Sequence, residues 1–240
     1  MSFPDSSTDV KLTPSQFASL VKLLTVHYAY PLPYPLAGGY FEELFAAAVR
    51  GTREPKKLLF DVLDGGTGWS LKTLLWTRLQ AQATFEVVVQ RCDILKDRKL
   101  SLASGEAVLG RKILQRFRNF CEGSAAKQGV SDPRAGFLIR NRAEREFVFF
   151  QQRYRLFDAD EVEWRWANDD RRSLMGYVGE TLVLRWYRSG TQLFGVYRIP
   201  AEPHSFVIDC RRASLDETID FFLTTGIART GPSREPPRSG

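Results

Sequence analysis

Apolar residues recur at helical spacing over Thr13 to His27, where Phe17, Leu20, Val21 and Leu24 share one side behind a Thr-Pro start. That spacing predicts a docking helix. Pro31, Pro33 and Pro35 then mark an extended stretch that closes at Gly38-Gly39. Tyr40 to Arg50 returns to helical spacing, with Phe41, Leu44, Phe45 and Ala48 on one face. Two short apolar runs follow, Lys57 to Leu63 and Trp69 to Trp76, separated by the Gly-rich stretch Asp64 to Gly68, and together they predict a β-hairpin. The pattern leaves Thr77 to Leu95 undecided between helix and strand, because Arg78 to Ala83 favours a helix whereas Phe85 to Gln90 is rich in β-branched residues. Ser104 is positioned to cap a helix through Cys121 that buries Val108, Ile113, Leu114, Phe117 and Phe120. Gly123 to Ala135 reads as a polar loop. From Glu146 onward the runs are strand-like, at Glu146 to Phe157, Glu161 to Ala167, Thr181 to Arg188, Leu193 to Pro200 and Ser205 to Asp209, with a hairpin turn at Ser189-Gly190. A closing helix is predicted over Leu215 to Leu223, and Arg229 to Gly240 has the Pro, Gly, Ser and Arg content of a disordered tail. The chain carries no internal repeat.

Composition narrows this only slightly. With 240 residues, 43% hydrophobic and 26% charged, the chain is long enough to bury a core without disulfides. Cys92, Cys121 and Cys210 are odd in number and widely spaced, which suits reduced thiols in the cytoplasm. His27 and His204 are too few for a zinc site or a histidine triad. The first nine residues are polar and no run approaches the length of a membrane span, so a soluble, intracellular protein is expected. The net charge of +6 comes mostly from arginine, whose planar fork suits phosphate. That charge supports a nucleic-acid partner; basic residues Arg111, Lys112, Arg116 and Arg118 decorate the predicted helix, and arginines are interleaved with aromatics in the second half.

The chemistry concentrates on the predicted hairpin. Asp61 stands on its first strand, and Ser70 and Lys72 on its second are two apart and project to one face. A lysine among Trp69, Leu71, Leu74 and Leu75 is costly unless paired, and Asp61 is the charge across the turn that can pair it. Carboxylates that fix magnesium, with a lysine beside the attacking water, are what phosphodiester hydrolysis needs. Asp64, at the Gly-rich tip, is accounted for by turn chemistry, and the tip lacks the spacing of a phosphate-binding loop.

A helix carrying Gly-x-x-Phe-Glu (Gly38 to Glu42), a strand carrying Asp61 and a strand carrying Ser70-Leu-Lys72 resemble the PD-(D/E)xK nuclease superfamily, over roughly residues 38 to 90. The resemblance implies a restriction-endonuclease-like α/β fold, a mixed central sheet flanked by helices, with a β-rich C-terminal half. It implies that Asp61 binds metal, that Lys72 orients or activates the attacking water, and that Glu42 on the helix binds metal directly or through water. Glu43 competes for that place, but Glu42 lies nearer the apolar face. Phe60 replaces the proline of the motif and Ser70 replaces its second acid. Similar enzymes with Ser-x-Lys move the acid to a later position, and here Glu86 follows Lys72 with thirteen residues between, with Gln90 as a further polar candidate. The expected catalytic set is therefore Asp61, Lys72, Glu86, Ser70 and Glu42, with Asp61, Glu86 and Glu42 around Mg2+. Residues 1–228 are expected to form one nuclease domain, with a catalytic core at 38–95 and a DNA-recognition part at 146–210. The function implied is that of a type II restriction endonuclease acting on double-stranded DNA as a homodimer, in the cytoplasm and away from membranes. The alternatives are a non-catalytic DNA-binding protein with a degenerate nuclease fold, and a repair or phage-type nuclease of low sequence specificity.

Overall fold

The computed structural model describes residues 11–31, 36–55, 58–76, 82–96, 100–141 and 146–225. Helix α1 spans Pro14–Ala29, and Thr13 caps it reciprocally with Gln16, so the Thr-Pro start acts as the pattern predicts. Helix α2 spans Gly38–Val49 and ends at Arg50, which is in the left-handed region. Strand β1 (Thr52–Arg53) follows at once and pairs with β2 (Val62–Asp64). Strand β3 (Thr67–Trp76) completes the hairpin.

The hairpin differs from the expected one in two ways. Its turn is only Gly65-Gly66, both at positive φ, which is the two-residue turn whose twist suits flanking strands. Its first strand is also shorter than the apolar run, because pairing starts at Val62 and Asp61 lies just outside it, while Lys57 falls outside the described residues. Strand β3 is ten residues long, and β2 pairs with only Thr67, Gly68 and Trp69.

Beyond Trp76 the undecided stretch resolves as a strand, β4 (Thr84–Arg91); the helix-favouring residues Arg78 to Ala81 lie outside the described set. Helix α3 spans Glu106–Gln128, which corrects the polar loop expected from Gly123. Ala125 and Ala126 are good helix formers that carry the helix past Gly123, and Gly129 in the left-handed region stops it. The helix face is rotated from the expected one: Val108 is exposed, and Leu109 and Gly110 are buried instead. Strands β5 (Asp132–Asn141) and β6 (Glu146–Arg153) follow, then β7 (Glu163–Trp166), β8 (Ser173–Val178), β9 (Thr181–Tyr187), β10 (Gln192–Arg198) and β11 (His204–Val207), and helix α4 (Leu215–Thr224). Strands β5 and β8 are additions to the predicted set. Asp132 to Ala135 has the polarity of a loop, and the polar start of β8 after Asp169-Asp170 hides its apolar residues.

Among the described residues the strands form two sheets. The first runs β1-β2-β3-β5-β6-β11, and β5 lies parallel to β3 along all ten residues. The second is antiparallel, in the order β4-β10-β9-β8-β7. Helices α1 and α2 cover one face of the first sheet, where Leu20, Leu24, Phe41 and Phe45 pack on Trp69, Leu71, Phe147 and Phe149. The other face meets α3 and the second sheet in a core built from Phe137, Ile139, Phe150, Ile113, Phe117, Leu174 and Trp186. The fold is thus mixed α/β, with a β-rich C-terminal half. Phe85 of β4, stacked on Tyr197 of its own sheet, joins the two sheets through ring contacts to Phe137 and Phe150. Helix α3 comes close to β7 at Gly110, where a Cβ would lie 2.2 Å from the Trp164 ring. Among the described residues no helix is long and apolar enough to cross a membrane.

Candidate functional site

Asp61 sits where the β2 pairing with β3 ends, and its position is fixed by backbone on both sides. Its own N–H donates to Trp69 O at 2.7 Å, and its carbonyl accepts from Glu54 N at 2.8 Å. Its carboxylate then takes the next position of the ladder, because Leu71 N donates to Asp61 Oδ2 at 2.7 Å. A side chain thus satisfies an N–H that a longer β2 would have bonded. Just before it, Phe60 is clamped by Gln128 at the end of α3, whose Nε2 donates to Phe60 O at 2.9 Å while its Oε1 accepts from Phe60 N at 3.4 Å.

Ser70 and Lys72 project to the face of β3 opposite Trp69 and Leu71, beside Ala135 and Phe137 of β5. Lys72 Nζ donates to Leu71 O at 3.0 Å and to Ser70 Oγ at 3.3 Å, and stands 3.9 Å from Asp61 Oδ2. Ser70 is buried, whereas the Lys72 and Asp61 side chains keep 32% and 23% of their exposure. The ammonium therefore remains within reach of an incoming ligand.

Burial pushes the Asp61 carboxyl up to about 6, against the pull of Lys72 and the Leu71 N–H; Glu42 adds to the rise and Arg53 opposes it. Glu42 of α2 thus lies within electrostatic reach of Asp61. It is also the less exposed of the two helical glutamates, at 19% against 56% for Glu43. Arg53 of β1 holds both, with Nε 3.1 Å from Glu42 Oε2 and Nη1 3.0 Å from Glu43 Oε1.

Glu86 is not brought to this group, which corrects the expectation that it supplies the missing acid. It lies on β4 in the second sheet, where its neighbours Phe85 and Val87 face the shared core, so strand alternation turns Glu86 to the outer face. There Arg185 Nη1 lies 2.9 Å from one of its oxygens, and the Tyr187 hydroxyl donates to the other at 3.2 Å. Gln90, farther along β4, has a buried Oε1 without a hydrogen-bond partner among the described residues. Two helical arginines are also committed elsewhere than to phosphate: Arg116 Nη1 donates to Asp93 O at 2.6 Å, and Arg118 binds Phe157 O and the Asp158 carboxylate.

Among the described residues, no three His, Cys, Asp or Glu side chains are grouped to hold an ion. The chain matches no known family model, no curated protein and no solved structure. The chemistry on which a reading rests is therefore that of Asp61, Lys72, Ser70, Glu42 and Arg53. Arg53 and Gln128 were missed in the sequence. Nothing local to Thr52-Arg53 signals a reach back to α2, and Gln128 meets Phe60 only through the tertiary fold. Tyr154 was missed as well: its buried hydroxyl has no hydrogen-bond partner among the described residues, and burial holds its pKa well above the ordinary value.

Whether Asp61 and Glu42 fit a divalent cation follows from their donors. Both offer carboxylate oxygens, the ligands a hard cation takes, and magnesium is commonly held by one or two carboxylates with water and substrate phosphate completing its shell. In donor chemistry the two carboxylates suit magnesium, and Arg53 and Lys72 are the cations they now face.

Proposed function

We propose that the chain is a magnesium-dependent endonuclease for double-stranded DNA, of the type II restriction kind, acting in the cytoplasm from the β2–β3 hairpin. The observation that carries this reading is the Lys72 ammonium held at 3.0 Å from Leu71 O and 3.3 Å from Ser70 Oγ, 3.9 Å from a half-buried Asp61 carboxylate. The mixed sheet, with α1 and α2 on one face and α3 on the other, is in keeping with a restriction-endonuclease-like core.

In this reading Asp61 and Glu42 hold the cation, which supplies charge stabilisation at the scissile phosphate and a more acidic bound water. Backbone bonds to Trp69 and Glu54 hold Asp61 in place at the end of β2. Lys72, anchored by Leu71 O and Ser70 Oγ, orients the water beside the phosphate, and Ser70 acts through Lys72. The β-rich half supplies the DNA-binding surface, and a homodimer would place one hairpin on each strand of a two-fold site.

A second reading is favoured by one observation: Ser70 stands where the second acid of the motif belongs, and Glu86 is bound to Arg185 instead of replacing it. On that reading the protein binds DNA without cutting it. Incubation with phage DNA and magnesium separates the two, since discrete fragments are expected from a site-specific nuclease and none from a binding protein. Smearing without discrete fragments would indicate a nuclease of low specificity. Lys72→Ala should lower the cleavage rate by a factor on the order of 10² to 10⁴ while duplex binding in calcium persists. Cleavage by this variant at the wild-type rate would end the assignment.

A further inference from the structure

Arg53 occupies a place that helix chemistry alone does not favour. Its guanidinium lies against the first turns of α2, contacting Glu42 and Glu43, with Nη2 at 3.0 Å from where a Cβ on Gly39 would be. The N-terminal end of a helix carries positive partial charge and attracts anions, so a cation there must be held by other means. Two means are present. Glu42 and Glu43 form a fork of carboxylates around the guanidinium, and Gly39 leaves room for it that any other residue would narrow.

Strand β1 delivers the arginine to this slot. Arg53 lies opposite Val62, next to Asp61, and Glu54 N bonds Asp61 O, so the backbone carrying the guanidinium and the backbone carrying Asp61 are one ladder. Arg53 is thus tied to both carboxylates of the candidate metal site, to Glu42 by direct contact and to Asp61 through the paired backbone of β1 and β2. The arginine side chain keeps 39% of its exposure, so the slot is open to solvent.

On the reading of Asp61 and Glu42 as a cation site, we propose that Arg53 is its resident counter-cation: the guanidinium holds Glu42 while the site is empty, gives it up when a divalent cation arrives, and is then free to take a phosphate of the duplex. Metal and arginine compete for the Glu42 oxygens. Binding of metal and of DNA is therefore coupled, and by linkage each strengthens the other to the same extent.

The test is titration of Mn2+ alone, without DNA, into the wild type, Arg53→Gln, Arg53→Lys and Asp61→Asn by calorimetry, beside duplex binding with and without Ca2+. Arg53→Gln should bind Mn2+ about three- to fivefold more tightly, the equivalent of one exposed ion pair. Arg53→Lys keeps the charge but cannot span two carboxylates, so its affinity should fall between the two. The gain in duplex affinity on adding Ca2+ should shrink in both variants. Equal Mn2+ affinity in Arg53→Lys and the wild type would reduce Arg53 to a background charge and overturn the exchange. Mn2+ binding that is absent from the wild type, or unchanged in Asp61→Asn, would overturn the metal site itself and the exchange with it. Melting curves of each variant, compared with the wild type, verify that the proteins compared are folded.

Discussion

At Asp61 three effects compete, and burial prevails. Lys72 at 3.9 Å and the Leu71 N–H at 2.7 Å both favour the carboxylate, yet the group titrates at about 6. A pKa above its unfolded value means that the folded state binds the proton more tightly. The contribution of Asp61 to stability is then fully present below about pH 4 and is lost as pH rises through about 6, by at most about 3 kcal/mol. Other carboxylates titrate over the same range, so the comparison to make is between the wild type and Asp61→Asn, by urea unfolding in EDTA from pH 4 to 8. Asp61→Asn should gain on the wild type as pH rises through 6 and hold that advantage above it; stability curves that stay parallel would mean that burial does not hold the Asp61 proton. Among these residues, Asp61 and Lys72 were legible in the sequence because a charge in an apolar run needs a partner and the Gly-rich turn fixed where that partner lies. Glu86 was misplaced for a plain reason. Counting positions after Lys72 gives a distance along the chain, and the chain changes sheets before reaching it.

Elements were legible wherever period and punctuation agreed. Thr13-Pro14 and Gly65-Gly66 fixed a helix start and a turn, whereas the end of α3 was misread because Gly123 looks like a stop and is tolerated within the helix. The approach of α3 to β7 was not visible in the sequence at all, since it rests on the missing Cβ of Gly110 fitting the Trp164 indole. Gly110→Ala sets two effects against each other. Alanine favours the helix by about 1 kcal/mol, but its Cβ would lie 2.2 Å from the ring, and overpacking of this kind costs about 1–3 kcal/mol. The clash is with a buried ring in a two-sided core, so the net effect should be a loss of roughly 1–2 kcal/mol, read as a lower urea midpoint at an unchanged slope. A raised midpoint would mean that the indole moves freely and that the close approach carries no packing.

For the whole molecule, the α/β class and the β-rich second half could be read from the order of periodic runs, while the division into sheets could not. Strand β4 precedes α3 in the chain yet pairs with β10, and β11 follows β10 yet closes the first sheet beside β6. Long-range pairings of this sort leave no local signal. The shared core of Phe85, Phe137, Phe150 and Tyr197 makes the two sheets depend on one another, so they should unfold together. Helix α4 stands apart from that core. None of its residues is buried, Leu215, Ile219, Phe221 and Leu223 are exposed, and it is held by the Ser214–Glu217 capping box and by Arg211 on Glu217. A helix of ten residues gains little from its own hydrogen bonds. Its backbone amides should therefore trade their protons for solvent deuterium through local opening, orders of magnitude sooner than those of β5 and β6, which wait for the whole core to open. Amides of Thr218 to Leu223 exchanging as slowly as those of Phe137 to Ile139 would show that something covers this helix in solution.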